Sequence, residues 1–338
     1  DFIKVLLSKY DLKLAYISSD KNDFIDHKNV KNIYIGNSYL RTILFSTLNC
    51  KNLILTLTDI GNSYIKKSKL CERYIYIFHS ALSTHVAYNK KAFWNYDIIF
   101  CNGEYQYNEL KESEKKYNLN KKILLKTGYL YFDFLRKKNF KSQAKKTNTI
   151  ILAPTWINKR NNFFEDYSYQ IINKLLSNNF KVILRPHPEH FKISKKTIKK
   201  IKEKFNRNNN FYFEENINDF SNLEKSDLMI TDYSGASIEY LLIFKKPVIF
   251  INSSQKINNL DHADLNIIQI EKKLREEFGY QIETKDIDKI SDLVQTAVRQ
   301  GTPKKKEDIE IFLRQNFYNE NKVAEYIADY LFENCYKK

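Results

Sequence analysis

Histidine, arginine and hydroxyl residues gather at three places in this 338-residue chain, each just beyond an apolar run. The stretch Asp227 to Phe250 reads as strand, small-residue turn, helix and strand. Its apolar part, Leu228–Ile230, gives way to Thr231 and Asp232, and Ser234, Gly235 and Ser237 fall where the next helix begins. A helix start offers unpaired N–H groups and about half a positive charge, which suits a phosphate. Gly235 lets the backbone come close, the serines add hydroxyl donors, and Glu239, one turn in, is placed to take the hydroxyls of a ribose. The same residues also read as an ordinary helix capped by Ser234 or Ser237.

A second stretch, Phe180 to His190, carries a buried-type strand that breaks into Arg185-Pro186-His187-Pro188. Two prolines stop a strand and stiffen the backbone that carries the imidazole between them. Arg185 is a planar, permanently charged phosphate ligand, and the end of a strand is where open α/β sheets bind ligands. The competing reading is a proline-punctuated loop with a solvated histidine. His187 and His190 also suggest a metal pair, but no carboxylate or cysteine cluster completes one, so no metal is expected. The third stretch, Tyr74 to His85, ends a strand in His79 and continues through Ser80, Ser83, Thr84 and His85. A lone histidine there is more often structural than catalytic. It gains weight because a second strand also ends in one, although Ser80 to Thr84 also read as helix capping. Tyr105 and Tyr107 read as packing residues before acceptor contacts.

The elements that must position these groups alternate between short apolar runs and polar helical stretches. Strands are expected at Leu12–Ser18, Asn32–Ile35, Leu53–Leu57, Tyr74–Phe78, Ile98–Cys101 and Ile123–Thr127. A Lys-rich stretch, Arg136 to Asn148, reads as a linker. Beyond it the spacing predicts strands at Thr149–Leu152, Val182–Leu184, Phe211–Phe213, Leu228–Ile230, Val248–Ile251 and Ile267–Ile270. Helices are expected at Tyr167–Leu176, Lys195–Phe205, Ile287–Arg299, Glu307–Gln315 and Lys322–Phe332. Alternation of this kind predicts parallel sheets with crossover helices. The expected fold class is α/β: two Rossmann-like domains, 1–140 and 149–315, facing each other across a cleft, with 316–338 as a closing helix.

Composition narrows the partners. Hydrophobic residues at 43% and aromatic residues at 14% belong to a folded chain. A net charge of +16 favours an anionic partner, whether a phosphate-rich substrate, an anionic membrane face or a nucleic acid. The helix at Lys195, Lys196, Lys199 and Lys200 is the expected membrane-facing surface, and a merely solvated basic face is the alternative. Lys and Arg are scattered and no recognised nucleic-acid motif occurs, so no nucleic acid is expected. Cys50, Cys71, Cys101 and Cys335 are dispersed and read as reduced core thiols, which argues for the cytosol. No run is long enough to span a bilayer. The chain lacks an initiator Met and opens inside an apparent unit, as a piece of a longer protein would.

Three of these segments together resemble the CDP-glycerol glycerophosphotransferase family of teichoic-acid polymerases and primases. The resemblance rests on Ala153-Pro154-Thr155-Trp156, Arg185-Pro186-His187-Pro188, and Thr231-Asp232-Tyr233-Ser234 running to Lys246-Pro247. It departs from the family at Ser80, where a glycine is usual after the first histidine. It departs again at Ile157, where an arginine is usual, with Lys159 and Arg160 close by. The resemblance implies GT-B architecture and attack of an acceptor hydroxyl on the polyol-linked phosphorus of a CDP-polyol such as CDP-glycerol, with CMP leaving. His79 is then the base, and Arg185, His187, Ser234, Gly235 and Ser237 hold the pyrophosphate, with Thr155 beside them. Glu239 takes the ribose, Asp232 organises the turn, and Ser80, Ser83 and His85 meet the acceptor. That acceptor is an anionic or lipid-linked glycan or polyol phosphate of a teichoic-acid-like or capsule polymer, at the inner face of the cell membrane. No cofactor or metal is expected. The rival readings are a GT-B glycosyltransferase using a CMP-activated acidic sugar and, more distantly, a nucleic-acid-binding protein.

Overall fold

A computed structural model describes residues 2–36, 40–61, 65–138, 146–157, 161–216 and 219–337. Lys159 and Arg160, and most of the expected linker, lie outside the described residues. Runs of β-branched and aromatic residues that are buried on both faces build parallel strands. Strands β1 (Leu14–Ser18) and β2 (Val30–Tyr34) pair with each other. Strands β3 (Cys50–Leu55), β4 (Cys71–Ile77), β5 (Ile98–Cys101) and β6 (Ile123–Lys126) form a four-stranded sheet in chain order. The remaining strands are β7 (Thr149–Leu152), β8 (Lys181–Leu184), β9 (Phe211–Phe213), β10 (Leu228–Thr231), β11 (Val248–Asn252) and β12 (Tyr280–Glu283). They form a six-stranded sheet in the order β12-β11-β10-β7-β8-β9. All of these pairings are parallel. Progression reverses between the adjacent strands β7 and β10, so a crevice opens beyond their carboxyl ends.

Side chains alternate across each strand. Ile150 and Leu152 therefore enter a core with Ile171, Ile201 and Val294 on one face. Ile151 and Ala153 enter a second core with Met229, Leu241 and Leu313 on the other. The four-stranded sheet divides in the same way, Ile75 and Ile77 facing one cluster and Tyr74, Tyr76 and Phe78 the opposite one. The helix Lys195–Phe205 buries Ile198, Ile201 and Phe205 and leaves its lysines outside.

Two helices cross between the sheets. Phe132 and Leu135 of the helix Leu130–Lys137 pack under the six-stranded sheet. Val323, Ile327 and Leu331 of the helix Val323–Leu331 pack with Ile75 and Phe100 of the four-stranded one. Burial of side chains of this size is worth about 1.5–3 kcal/mol each. The crossing is tied by Asp133, whose carboxylate accepts the amides of Asn321 and Val323 at 2.9 and 2.7 Å. A helix start lacks partners for such donors.

The expected strand at Ile267–Ile270 is a correction. Ile268 is exposed and Ile270 opens the helix Ile270–Phe278. The strand in this region is β12, at the sheet edge, where only Ile282 is buried. Among the described residues no helix is long and apolar enough to cross a membrane.

Candidate active site

A cleft of about 780 Å³ lies between the carboxyl ends of the two sheets. Its first wall carries Thr58, His79, Ser80 and Tyr129, and its second carries Thr155, Arg185, His187, Ser234 and Glu239. The segments that the sequence singled out thus meet in one place. The walls come close: a Cβ on Gly235 would sit 3.1 Å from the Ser80 Oγ. Tyr129 also spans them, donating its hydroxyl to Glu239 Oε1 at 2.9 Å and to the His79 carbonyl at 3.3 Å.

His79 follows β4. Burial holds its pKa below the ordinary 6.5, the Thr56 backbone opposes this, and the charge of Lys256 adds to the lowering. The ring is therefore neutral at pH 7 and able to accept a proton. His187 is lowered further, to about 4, first by burial and then by Lys256. Its Nδ1 accepts the Glu189 amide at 3.2 Å, which leaves the neutral ring with its proton on Nε2. A donor without charge results. The Nδ1 of His190 accepts the His187 amide at 3.1 Å, and its ring stacks on Phe164. Both Nδ1 atoms are thus engaged by backbone, and His190 serves to brace the loop. Among the described residues no group of three His, Cys, Asp or Glu side chains is placed to hold a metal.

Arg185 reaches the cleft but is paired, its Nη1 lying 2.7 Å from Glu214 Oε2 and 2.9 Å from the Asp219 carbonyl. Asp232 is fully buried; its Oδ1 accepts the Thr155 amide at 2.7 Å, tying the turn after β10 to that after β7. Burial raises its pKa to about 6 against these contacts. Arg275 fixes the same turn from behind, donating to the Asp232 carbonyl at 2.6 Å between the rings of Tyr233 and Phe250. Glu239 is raised to about 7 by burial, with the Tyr129 hydrogen bond and Arg185 opposing.

Three expected contacts are corrected. Ser237 is buried and donates its hydroxyl to the Ser234 carbonyl at 2.8 Å, closing the turn and not facing the cleft. Ser83 is fully buried, with its Oγ accepting the Ile270 amide at 2.8 Å and its own amide bound to Glu271. His85 is buried with its Nδ1 3.2 Å from Glu109 Oε1. Burial alone would lower the His85 pKa, but Glu109 and Glu271 outweigh it and the net shift is upward. Neither Ser83 nor His85 is available to an acceptor; both hold the segment after His79 in place. A neighbouring cavity of about 30 Å³ is only water-sized.

That segment is gripped from one side. Asn102, Tyr105 and Gln106 donate in turn to the carbonyls of Ser80, Ala81 and Leu82, at 3.1, 2.6 and 3.0 Å. Glu109 accepts the Thr84 hydroxyl at 2.7 Å. Tyr105 is therefore an anchor, which its place in the sequence did not disclose. Lys256, in the loop after β11, was also not singled out. It lines the cleft with its Nζ 4.4 Å from the Trp156 ring centroid. The available signal was its position beyond the carboxyl end of a sheet strand.

Two parallel sheets with their carboxyl ends facing across a cleft define a GT-B-like fold. Known structures agree. The wall teichoic acid polymerase TagF superposes with a TM-score of 0.60 at 16% identity, covering 99% of this chain and 85% of that one. A histidine-to-asparagine variant of TagF soaked with CDPG gives 0.58 at 17% identity, covering 99% and 84%. UDP-GlcNAc 2-epimerase from Neisseria meningitidis, bound to UDP-GlcNAc, gives 0.54 at 12% identity, covering 96% and 100%. No curated protein matches the sequence. The family model for CDP-glycerol:poly(glycerophosphate) glycerophosphotransferase matches residues 79–333, and the chain belongs to that family. It is an enzyme, a transferase of the CDP-glycerol glycerophosphotransferase type.

Proposed function

We propose that the cleft binds CDP-glycerol and passes its glycerol phosphate to an acceptor hydroxyl of a teichoic-acid-like or capsule polymer. The observation that carries this reading is the meeting of His79 with the Arg185–His187 and Ser234–Glu239 segments around one cleft. The acceptor oxygen attacks the phosphorus that bears glycerol, and the bond from that phosphorus to the bridging oxygen breaks. His79 takes the acceptor proton, and CMP leaves with the electron pair. A neutral imidazole suits the base role. His187 Nε2–H and the amides around Ser234 and Gly235 face the phosphates, and Glu239 faces the ribose. In this reading 1–140 supplies the acceptor side, 149–315 the donor side and 316–338 the closure, and no metal takes part.

The acceptor is an anionic or lipid-linked polyol phosphate, met at the inner membrane face. The exposed lysines at 195, 196 and 199 support contact with that face; flotation with anionic but not neutral liposomes, reversed by salt, tests it. The decisive assay incubates the protein with CDP-glycerol, CDP-ribitol and CMP-sugars and measures CMP release with and without acceptor. Release from CDP-glycerol, unchanged by EDTA, is expected. Release from a CMP-sugar alone refutes the reading.

A further inference from the structure

The charged side chains along the cleft do not balance in the way that the sequence suggested. Arg185, the obvious phosphate ligand, already faces the buried carboxylate of Glu214 at 2.7 Å. His187 is held neutral, so it contributes a hydrogen bond and no charge. Glu239 and Glu271 add carboxyl groups to the lining. Among the described residues lining the cleft, Lys256 is the one cationic side chain outside an ion pair.

Its surroundings place it for a ligand. The loop that carries it is fixed on both sides, Ser254 donating to the Asn161 carbonyl at 2.9 Å and Asn258 to the Val86 carbonyl at 3.1 Å. The Asn258 side chain also donates to the Ala87 carbonyl at 2.8 Å, so residues from both walls pin the loop. The ammonium lies over the Trp156 ring, which holds it without neutralising it. That indole leaves a buried N–H with no acceptor among the described residues. Lys256 lines the same cleft as His79 and His187, and its charge acts on both rings.

We propose that Lys256 is the cation that binds the diphosphate of the nucleotide donor and receives the charge developing on the departing CMP. This inference rests on the donor reading above and adds the residue that supplies the charge. An ammonium on a flexible stem serves a diphosphate as a movable point charge, while the paired Arg185 keeps the β8 loop in place. Burial lowers the Lys256 pKa, with Glu189 and Asp232 opposing. Diphosphate affinity therefore weakens at high pH, starting below the ordinary lysine range, and an always-charged arginine removes that limb.

The test is calorimetric titration of the whole chain with CDP and with inorganic pyrophosphate from pH 7 to 10, and of wild type with UDP as well. The variants are Lys256→Met and Lys256→Arg, with Lys121→Met on an exposed loop as a charge-matched control. Lys256→Met should bind both ligands about ten- to a hundred-fold more weakly, the range for a charged hydrogen bond. Lys256→Arg should bind within a few-fold of wild type and lose the alkaline limb, and Lys121→Met should match wild type. Unchanged affinity in a folded Lys256→Met protein, or an equal loss in Lys121→Met, overturns the assignment and leaves the donor reading standing. Lys256-dependent binding of pyrophosphate with no preference of wild type for CDP over UDP overturns the donor reading and leaves the cation assigned. Binding of neither ligand by wild type overturns both.

Discussion

Glu239→Gln should make the protein more stable, and the gain should depend on pH. The folded pKa of Glu239, about 7, stands above its ordinary 4.5 because the carboxyl is buried. The sign follows from proton binding. Between those values the unfolded chain releases a proton that the folded protein keeps, so stability falls as pH rises through that window. Below 4.5 both states are protonated and nothing is lost. The cost reaches roughly 1 kcal/mol at pH 5 and roughly 3 kcal/mol at pH 8. Glutamine keeps a carbonyl for the Tyr129 hydroxyl and has no proton to lose. Urea unfolding of wild type and Glu239→Gln at both pH values gives two stability differences. Subtracting them cancels any change in packing or hydrogen bonding that is independent of pH. The variant should gain roughly 2 kcal/mol more at pH 8 than at pH 5, while donor affinity falls if the carboxylate holds the ribose. Equal differences at the two pH values, or a larger gain at pH 5, refute the reasoning.

Three further outcomes are expected. His79→Ala should leave CDP-glycerol binding nearly intact while lowering single-turnover rates about 10²–10⁴-fold, whereas His187→Ala should weaken donor binding too; the wild-type rate should hold to below pH 6.5 before it falls, because His79 is lowered. Gly235→Ala, at an ordinary φ of −58°, should cost turnover more than melting temperature, since its Cβ meets Ser80 at 3.1 Å; the double variant with Ser80→Gly should recover rate, and an additive loss refutes wall-to-wall contact. Asp133→Ala should cost about 1–3 kcal/mol in denaturant unfolding, because it leaves helix-start amides unsatisfied; an unchanged midpoint refutes the tie.

Several elements were legible because their physics is local. The strands β5, β7, β8 and β10 are short runs buried on both faces, and such runs announce themselves. The turns after them carry proline, glycine and serine, which mark where a strand must stop. The errors have equally physical causes. Tyr280–Glu283 lies at a sheet edge, with one buried residue and polar neighbours, so it gave no signal. Ile267–Ile270 has the apolar content of a strand, but Ile270 is the first buried residue of a helix face. Ser83, His85 and Ser237 looked like ligands because their types suit that role. Their partners, Glu271, Glu109 and the Ser234 carbonyl, are chosen by the fold, and the first lies 188 residues away. Lys256 carries no mark in a lysine-rich chain, because what distinguishes it is that no ion-pair partner stands beside it among the described residues.

The crossing helices also impose an order on synthesis. The core that receives the segment 323–335 is otherwise built from residues before 131. During translation that core stays uncovered while about 200 further residues emerge, an interval of about 10–40 s at ordinary elongation rates. The later sheet takes its helix 130–137 from chain already made, and the residues that complete its core, Ile309, Phe312 and Leu313, follow soon after its last strand. A nascent chain stalled before residue 323 would therefore present the four-stranded sheet, not the six-stranded one, as the sticky surface. Chaperone capture during translation should map to residues before 131, and a nonsense codon just before residue 323 should damage that earlier sheet.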